Sequence, residues 1–263
     1  GSSQTLLVGS GGFATIQEAI DAGSDGGTIL VPAGTSAEQL VIDKEVTIEG
    51  SGDVDIVGSF RADNAIPGGT TVAEFLESAP AYDDPAGFGA TIAADNVTLT
   101  NLNFSSFVRG IDIGATDNLT LNDIDISESV YGIAKLNNAA ATDVTINGGS
   151  ISDRYQGFTV ESMGLTGAVL DNLVIDGMTF ERLTEKGFYA DHISNSQLLN
   201  LVMNDVGEFG RGPAFGPASQ TGEFGAGVDI NVKYEDFANI LIDGFALTNV
   251  GSRSGGGSVP LGL

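Results

Sequence analysis

One apolar pattern recurs along the middle of the chain and limits what the chain can fold into. The segments NVTLTNLNF, NLTLNDIDI, DVTINGGSI and NLVIDGMTF each place apolar residues at positions i, i+2, i+5 and i+7, and SQLLNLVM and NILIDGFAL follow less regularly. The residues at i+2 are Leu99, Leu121, Ile146, Ile175, Leu198 and Ile242, separated by 22, 25, 29, 23 and 44 residues. A repeat of this length indicates a solenoid, in which each unit buries its apolar side against the next unit.

Each repeat predicts three short strands. Alternation over three residues, a two-residue break and renewed alternation describe two strands around a corner, and Asn, Asp and Gly supply the corner conformations. A third strand follows in RGIDI, YGIAK, QGFTV, KGFYA and AGVDI. Leucine-rich repeats have similar periods, but the LxxLxL frame and the helical half-repeat are missing. The prediction is an all-β fold, a single-stranded right-handed parallel β-helix with three strands per coil.

We expect one domain over residues 1–263. Residues 1–35 predict an N-terminal cap and the first strand, with a short helix whose apolar face, Phe13, Ile16, Ala19 and Ile20, covers the open end of the core. Residues 61–90 break the period and predict a side excursion, and residues 205–226 predict an inserted loop over the third sheet. The last residues, SRSGGGSVPLGL, predict no capping helix, so either they fold back over the last coil or the sequence is part of a longer protein.

Net charge and the absence of cysteine limit the kinds of partner and cofactor that the chain can bind. Thirty-five acidic residues face ten basic ones, for a formal net charge of -25, and a field of that sign repels nucleic acid and anionic membranes. No apolar run reaches membrane-spanning length, which argues against membrane insertion. Zero cysteines exclude disulfides, a thiol nucleophile and thiolate metal sites. These features suit a secreted or cell-surface protein, as in bacteria, with calcium as the candidate cofactor and no organic cofactor.

The third strands predict an outward face that carries polar residues. The residues one and three after each glycine face inward, and the residues two and four after it face outward. Glu161 and Asp191 then lie on adjacent coils with carboxylates roughly 5 Å apart, beside Tyr189 and Asp229. Like charges this close share a proton, bind a cation or are offset by a base, so Glu161, Asp191 and Asp229 are the predicted calcium ligands.

The segment EKGFYADHISN holds the only histidine of the chain and supplies most of the candidate catalytic residues. β-Elimination from a uronate needs a group that neutralises the C6 carboxylate, a base for H5 and a proton donor to O4. Calcium or an arginine such as Arg154 suits the first role, His192 or Lys186 the second and Tyr189 the third, with Asp191 beside them. Hydrolysis needs two carboxylic groups instead, for which Glu161, Asp191 and Asp229 are candidates. The predicted substrate-binding residues are Tyr155, Arg109, Arg211 and Lys233.

Two stretches carry a family resemblance. The run FATIQEAID, GTILVPAG and EQLVIDKEVTIEGSG resembles the N-terminal region of the pectin-lyase-like β-helix superfamily, which includes pectin methylesterases, pectate and alginate lyases, and mannuronan C5-epimerases. The methylesterase motifs QDTL and DFIFG are absent. KGFYADHI is similar to the epimerase GFVAD coil, with Asp191 at that family's aspartate, whereas YQGFTVES has Thr159 and Val160 where the epimerases have Asp-Pro-His. The resemblance implies a β-helix protein that acts on an acidic polysaccharide.

Three functions are therefore open. The leading hypothesis is a lyase or C5-epimerase type of elimination on an acidic polysaccharide such as alginate or pectate. The main rival is a non-catalytic, calcium-binding β-helix module of a bacterial surface protein or adhesin. A glycoside hydrolase that uses paired carboxylates is the third.

Overall fold

The computed structural model describes residues 4–59, 84–161, 169–207, 225–231, 233 and 237–251, without the side chains of Arg154 and Thr184. Its helical elements are α1 (Ile16–Ala22) and a short 3-10 helix, η1 (Pro85–Gly87). The strands are β1 (Thr5–Leu7), β2 (Gly27–Val31), β3 (Gly34–Ser36), β4 (Leu40–Ile42), β5 (Val46–Gly50), β6 (Val54–Val57), β7 (Phe88–Ile92), β8 (Val97–Ser105), β9 (Arg109–Ile113), β10 (Thr116–Ser127), β11 (Tyr131–Lys135), β12 (Ala141–Asn147), β13 (Ser150–Val160), β14 (Leu170–Asp176), β15 (Thr179–Ala190), β16 (Ile193–Ser194), β17 (Ser196–Leu199), β18 (Val202–Val206), β19 (Ala226–Ile230), β20 (Ile240–Asp243) and β21 (Ala246–Val250).

The strands form one hydrogen-bonded system that bends into three parallel sheets, and the chain is a right-handed parallel β-helix with three strands per coil. The first sheet contains β1, β2, β5, β12, β14, β16, β17, β20 and the first halves of β8 and β10. The second contains β3, β6, β18, β21, the second halves of β8 and β10, and the first halves of β13 and β15. The third contains β4, β7, β9, β11, β19 and the second halves of β13 and β15. The predicted fold is confirmed.

The register of the first sheet confirms the predicted core column. Leu99 pairs with Leu121, and the column continues through Ile146, Ile175, Leu198 and Ile242. Its first five members are at most 1% exposed, and burying a leucine or isoleucine contributes about 1.5–3 kcal/mol. This vertical stacking holds the coils in register because a slip of one residue would turn the apolar column outward.

Asn and Asp occupy the corners because the backbone there is left-handed. Five corner asparagines have φ between 52° and 62°: Asn96, Asn118, Asn172, Asn195 and Asn239. Asparagine and aspartate tolerate this region better than most residues do. Their amides also bind along the helix axis: Asn118 Nδ2 donates to Asn96 Oδ1 at 2.9 Å, and Asn239 Nδ2 donates to Asn195 Oδ1 at 2.8 Å. The corners are thus polar ladders that join successive coils.

Helix α1 covers the N-terminal end of the core, as its apolar spacing predicts. Thr15 caps it, since its hydroxyl accepts a hydrogen bond from the Glu18 amide at 3.1 Å. Ile16, Ala19 and Ile20 are fully buried. None of the helices in the described part of the chain has the length and hydropathy needed to cross a membrane.

The predicted excursion and the predicted loop fall mostly outside the described residues, which omit 60–83 and 208–224. Phe88–Ile92 form β7 in the third sheet, so the prediction that the excursion extends to residue 90 is wrong at that end. The two residues that flank 208–224 are in contact: a Cβ on Gly225 would stand 2.5 Å from the Gly207 carbonyl oxygen.

Candidate functional site

Two columns of outward residues cross the third sheet in register. One column aligns Thr91, Asp112, Ala134, Thr159, Tyr189 and Asp229. The other aligns Phe88, Arg109, Tyr131, Gln156, Lys186 and Ala226. The predicted placement of Tyr189 between Thr159 and Asp229 is confirmed. We call the polar members of the two columns, Arg109, Asp112, Gln156, Thr159, Lys186, Tyr189 and Asp229, the polar row.

The polar row is largely buried although it lies outside the β-helix interior. Gln156 and Lys186 are each 8% exposed, Tyr189 is 5% exposed and Thr159 is 1% exposed. Exposure rises toward the last coil, where the side chains of Asp229 and Lys233 are 32% and 35% exposed. Buried polar groups need partners, and a solute reaches this face most readily at the Asp229–Lys233 end.

Arg109 sits at the other end of the polar row. Its Nη1 lies 2.8 Å from Asp112 Oδ1, and its guanidinium carbon stands 4.4 Å from the centre of the Phe88 ring. Both partners of this ion pair are less than a tenth exposed. Arg109, predicted to bind substrate, therefore belongs to a buried ion pair, which is costly to open.

Tyr189 lies between two lysines. Lys233 Nζ donates a hydrogen bond to the Tyr189 hydroxyl at 2.9 Å, and this bond is the main cause of a raised Lys233 pKa. Lys186 Nζ stands 4.2 Å from the centre of the Tyr189 ring, within cation–π distance. One phenol thus has a cation at its oxygen and another over its face.

Lys186 is held by carboxylates on its other side. Its Nζ lies 3.0 Å from Asp229 Oδ2 and 3.6 Å from Glu185 Oε1. Lys186 is thus part of an ion-pair cluster with Asp229 and Glu185, and its predicted role as a base would first require the loss of these partners.

Asp191 and His192 form a buried pair where the third sheet turns into the first. Asp191 is 2% exposed and His192 is fully buried, with Asp191 Oδ1 2.5 Å from His192 Nδ1. The His192 ring also packs edge-on against Phe237, with centroids 5.6 Å apart. Asp191 Oδ2 lies 3.8 Å from Lys233 Nζ, which binds the outward Tyr189 hydroxyl. Because β15 ends at Ala190, alternation alone does not fix the direction of Asp191, and its outward orientation stays a prediction.

Glu161 lies on the coil before Asp191, as predicted. Burial raises the pKa of the Glu161 carboxyl, the charge of Asp191 raises it further, and Lys233 and Lys186 oppose part of the shift. A carboxyl whose pKa is raised in this way is suited to proton donation.

The predicted calcium ligands do not converge. Among the described residues, no three His, Cys, Asp or Glu side chains are grouped as a metal ion requires. Asp229 pairs with Lys186, and Asp191 pairs with His192. Glu161, Asp191 and Asp229 thus do not fit a calcium site by themselves, and calcium binding stays a prediction.

The remaining predicted residues lie elsewhere. Arg211 is outside the described residues, and the Arg154 side chain is not described. Tyr155 lies on the coil before Tyr189 and packs edge-on against Tyr131 of the coil before that, with ring centres 6.0 Å apart. Two residues that sequence reasoning missed are Lys135, which is fully buried, and Gln156, whose Oε1 accepts a hydrogen bond from the Thr159 hydroxyl at 2.6 Å.

No protein-family model matches the chain, and no curated protein matches its sequence. Solved structures similar to it include the pectin methylesterase from Aspergillus niger, at 17% identity over 98% of this chain and 92% of that chain, with a TM-score of 0.47. A mutant pectin methylesterase in complex with a hexasaccharide shows 11% identity over 92% and 93%, with a TM-score of 0.44. The rice weevil enzyme shows 12% identity over 94% and 89%, with a TM-score of 0.40.

Proposed function

We propose that the chain is a secreted or cell-surface enzyme that acts on an acidic polysaccharide by elimination or C5 epimerisation. The observation that carries the proposal is the Tyr189 hydroxyl held by Lys233 with Lys186 over its ring. The resemblance of KGFYADHI to the epimerase coil supports the same assignment.

Tyr189 is the proposed proton-transfer group. The Tyr189 hydroxyl accepts a hydrogen bond from Lys233 at 2.9 Å, and Lys186 Nζ lies 4.2 Å from the ring centre, so negative charge that develops on the phenol oxygen during proton transfer faces two cations. In elimination, the phenolate takes H5, the C5–H electron pair forms the C4–C5 double bond, and the phenol so formed gives that proton to O4 as the C4–O4 bond breaks. In epimerisation, O4 stays bonded, solvent supplies a proton to C5 on its opposite face, and the H5 proton passes from Tyr189 to solvent.

The two lysines are the proposed partners of the uronate carboxylate. Removal of H5 places negative charge on the carboxylate, and a fixed cation stabilises that charge. Lys186 already holds the carboxylate of Asp229 at 3.0 Å, so its ammonium is placed to bind a carboxylate at the more open end of the polar row. We propose that the substrate carboxylate joins or replaces Asp229 there.

Glu161 favours glycoside hydrolysis as a second candidate function. Its raised pKa suits a general acid, and the part-exposed Asp229 carboxylate is available as the second carboxyl group. Hydrolysis would release reducing ends without forming an unsaturated product, which separates it from elimination.

The test is incubation with alginate, pectate and neutral glucans, with and without added calcium. We expect an unsaturated product that absorbs in the ultraviolet, or, for epimerisation, exchange of the C5 proton with deuterated solvent. Reducing ends without ultraviolet absorbance would support the hydrolase instead. If no substrate reacts in any of the three assays, the proposal is wrong and the non-catalytic module remains.

A further inference from the structure

A chain of contacts connects the buried histidine to the phenol. His192 Nδ1 lies 2.5 Å from Asp191 Oδ1, Asp191 Oδ2 lies 3.8 Å from Lys233 Nζ, and Lys233 Nζ lies 2.9 Å from the Tyr189 hydroxyl. The distance from Asp191 to Lys233 is longer than a hydrogen bond. Lys233 therefore has two acceptors within reach, a carboxylate and a phenol, and it bonds the phenol.

The carboxylate should be the stronger partner for an ammonium group, because a charged acceptor forms hydrogen bonds roughly twice as strong as a neutral one. What keeps Asp191 away is its other oxygen, which is bound to the buried ring of His192. His192 is fully buried and packed against Phe237, so the ring is a rigid anchor for Asp191.

We infer that His192 is a positioning residue: it withholds the Asp191 carboxylate from Lys233, so that Lys233 stays on the Tyr189 hydroxyl. His192 acts through two other residues and does not touch the substrate. This inference deepens the proposed function and rests on it for its catalytic consequence, but the placement of Lys233 can be tested without any substrate.

Two conservative variants separate the donor at Nδ1 from the bulk of the ring. In His192→Asn the amide nitrogen stands near the position of Nδ1 and can still donate to Asp191. In His192→Gln the amide nitrogen stands near the position of Nε2, and the donor to Asp191 is lost. Thermal melting shows whether His192→Gln is folded. If it is not, His192→Leu, which also lacks the donor to Asp191, takes its place.

The readout is the Cζ resonance of Tyr189 in protein labelled with [Cζ-¹³C]tyrosine, assigned by its loss in Tyr189→Phe. We expect His192→Gln to move this resonance in the same direction as Lys233→Met, and His192→Asn to leave it near its original place. Asp191→Asn added to His192→Gln removes the competing charge, and we expect it to restore the resonance. Ser196→Ala, which removes a buried hydroxyl from the same corner, is the control and should not move it.

Activity gives the second readout. We expect kcat for the best substrate to fall about 10-fold to 100-fold in His192→Gln and to recover in the double variant. An unmoved Tyr189 resonance in folded His192→Gln, or a double variant that stays displaced, would overturn the inference. If no polysaccharide is turned over, the proposed function fails, while the resonances still decide where Lys233 lies.

Discussion

Two lysines of the third sheet lie near equivalent glycines, Gly132 and Gly187, but have different surroundings. Lys135 follows Gly132 by three residues and lies in the inward column, paired in register with Val160. Lys186 precedes Gly187 and lies in the outward column, paired with Gln156 and Ala226. The first is fully buried, and the second reaches Tyr189 and Asp229. Position within the strand therefore assigns one lysine to the structure and the other to the site.

The surroundings of Lys135 explain how the core accepts a charge. Its Nζ donates to Asn137 Oδ1 at 2.5 Å, to the Asn137 carbonyl at 3.1 Å and to the Ala139 carbonyl. The ammonium group thus leaves the apolar interior and ties down the turn that follows β11. Burial lowers the pKa of Lys135 to about 8, although the nearby Asp112 carboxylate opposes part of that shift.

Lys135→Ala should have the largest effect on stability. The substitution removes the donor to the Asn137 and Ala139 carbonyls, leaves the Asn137 amide oxygen with the Ala139 N–H alone, and opens a cavity. Together these losses should lower the free energy of unfolding by about 3 kcal/mol. Denaturant unfolding measures the change. Activity per folded molecule should stay close to that of the unmodified protein, and a loss of activity without loss of stability would contradict the structural assignment of Lys135.

Lys186→Met should have the opposite pattern. Loss of the cation beside Tyr189 should lower kcat/KM on the best polyuronate about 100-fold, whereas the free energy of unfolding should fall less than in Lys135→Ala, because the Asp229 side chain that loses its partner is 32% exposed and can be solvated. Steady-state kinetics and denaturant unfolding on the same preparation measure both quantities. If Lys186→Met and Lys135→Ala show the same pattern, the comparison fails.

The stability of the protein should rise with pH above about 8 through Lys135. The folded-state pKa of about 8 lies below the ordinary value of 10.5, so between these values the unfolded chain binds more protons than the folded one. The free energy of unfolding should then increase by up to about 1.4 kcal/mol per pH unit. Lys135→Met, measured over the same pH range, should lack this increase, and a matching slope in the variant would assign it to other groups.

Arg182→Ala should have the smallest effect. Arg182 pairs with Asp153 and Glu181 at a corner of the second sheet, and its side chain is half exposed. Exposed ion pairs contribute about 0–1 kcal/mol to stability, so the melting temperature of Arg182→Ala should lie close to that of the unmodified protein. A larger shift would mean that the corner ladders contribute more than the buried turn at Lys135.

Most of the fold could be predicted from the sequence because the spacing of apolar residues repeats with the coil. The column from Leu99 to Ile242 and the alignment of Thr159, Tyr189 and Asp229 both follow from that spacing, and the register confirms them. Strand alternation places Lys135 inward, like its neighbour Val160. The burial of Lys135 could not be predicted, because a lysine breaks the apolar pattern and its hydrogen-bond acceptors lie in a turn outside that pattern.

The site could be predicted only in part, because side-chain direction follows alternation only within a strand. Tyr189 lies inside β15, and its outward position was predictable. Asp191 and His192 follow the end of β15, where the corner conformation turns both side chains into buried positions. The hydrogen bond from Lys233 to Tyr189 spans 44 residues of sequence, and no local pattern indicates it.

The most direct test of the site is a comparison of two tyrosines of the third sheet. Tyr189→Phe removes the hydroxyl between the lysines, and Tyr131→Phe removes a hydroxyl that is equally buried but lies two coils earlier, beside Tyr155. Turnover of the best polyuronate should fall at least about 100-fold in Tyr189→Phe and remain near its original value in Tyr131→Phe, with both variants folded. Full activity in Tyr189→Phe, or equal losses in the two variants, would contradict a reaction centred on Tyr189.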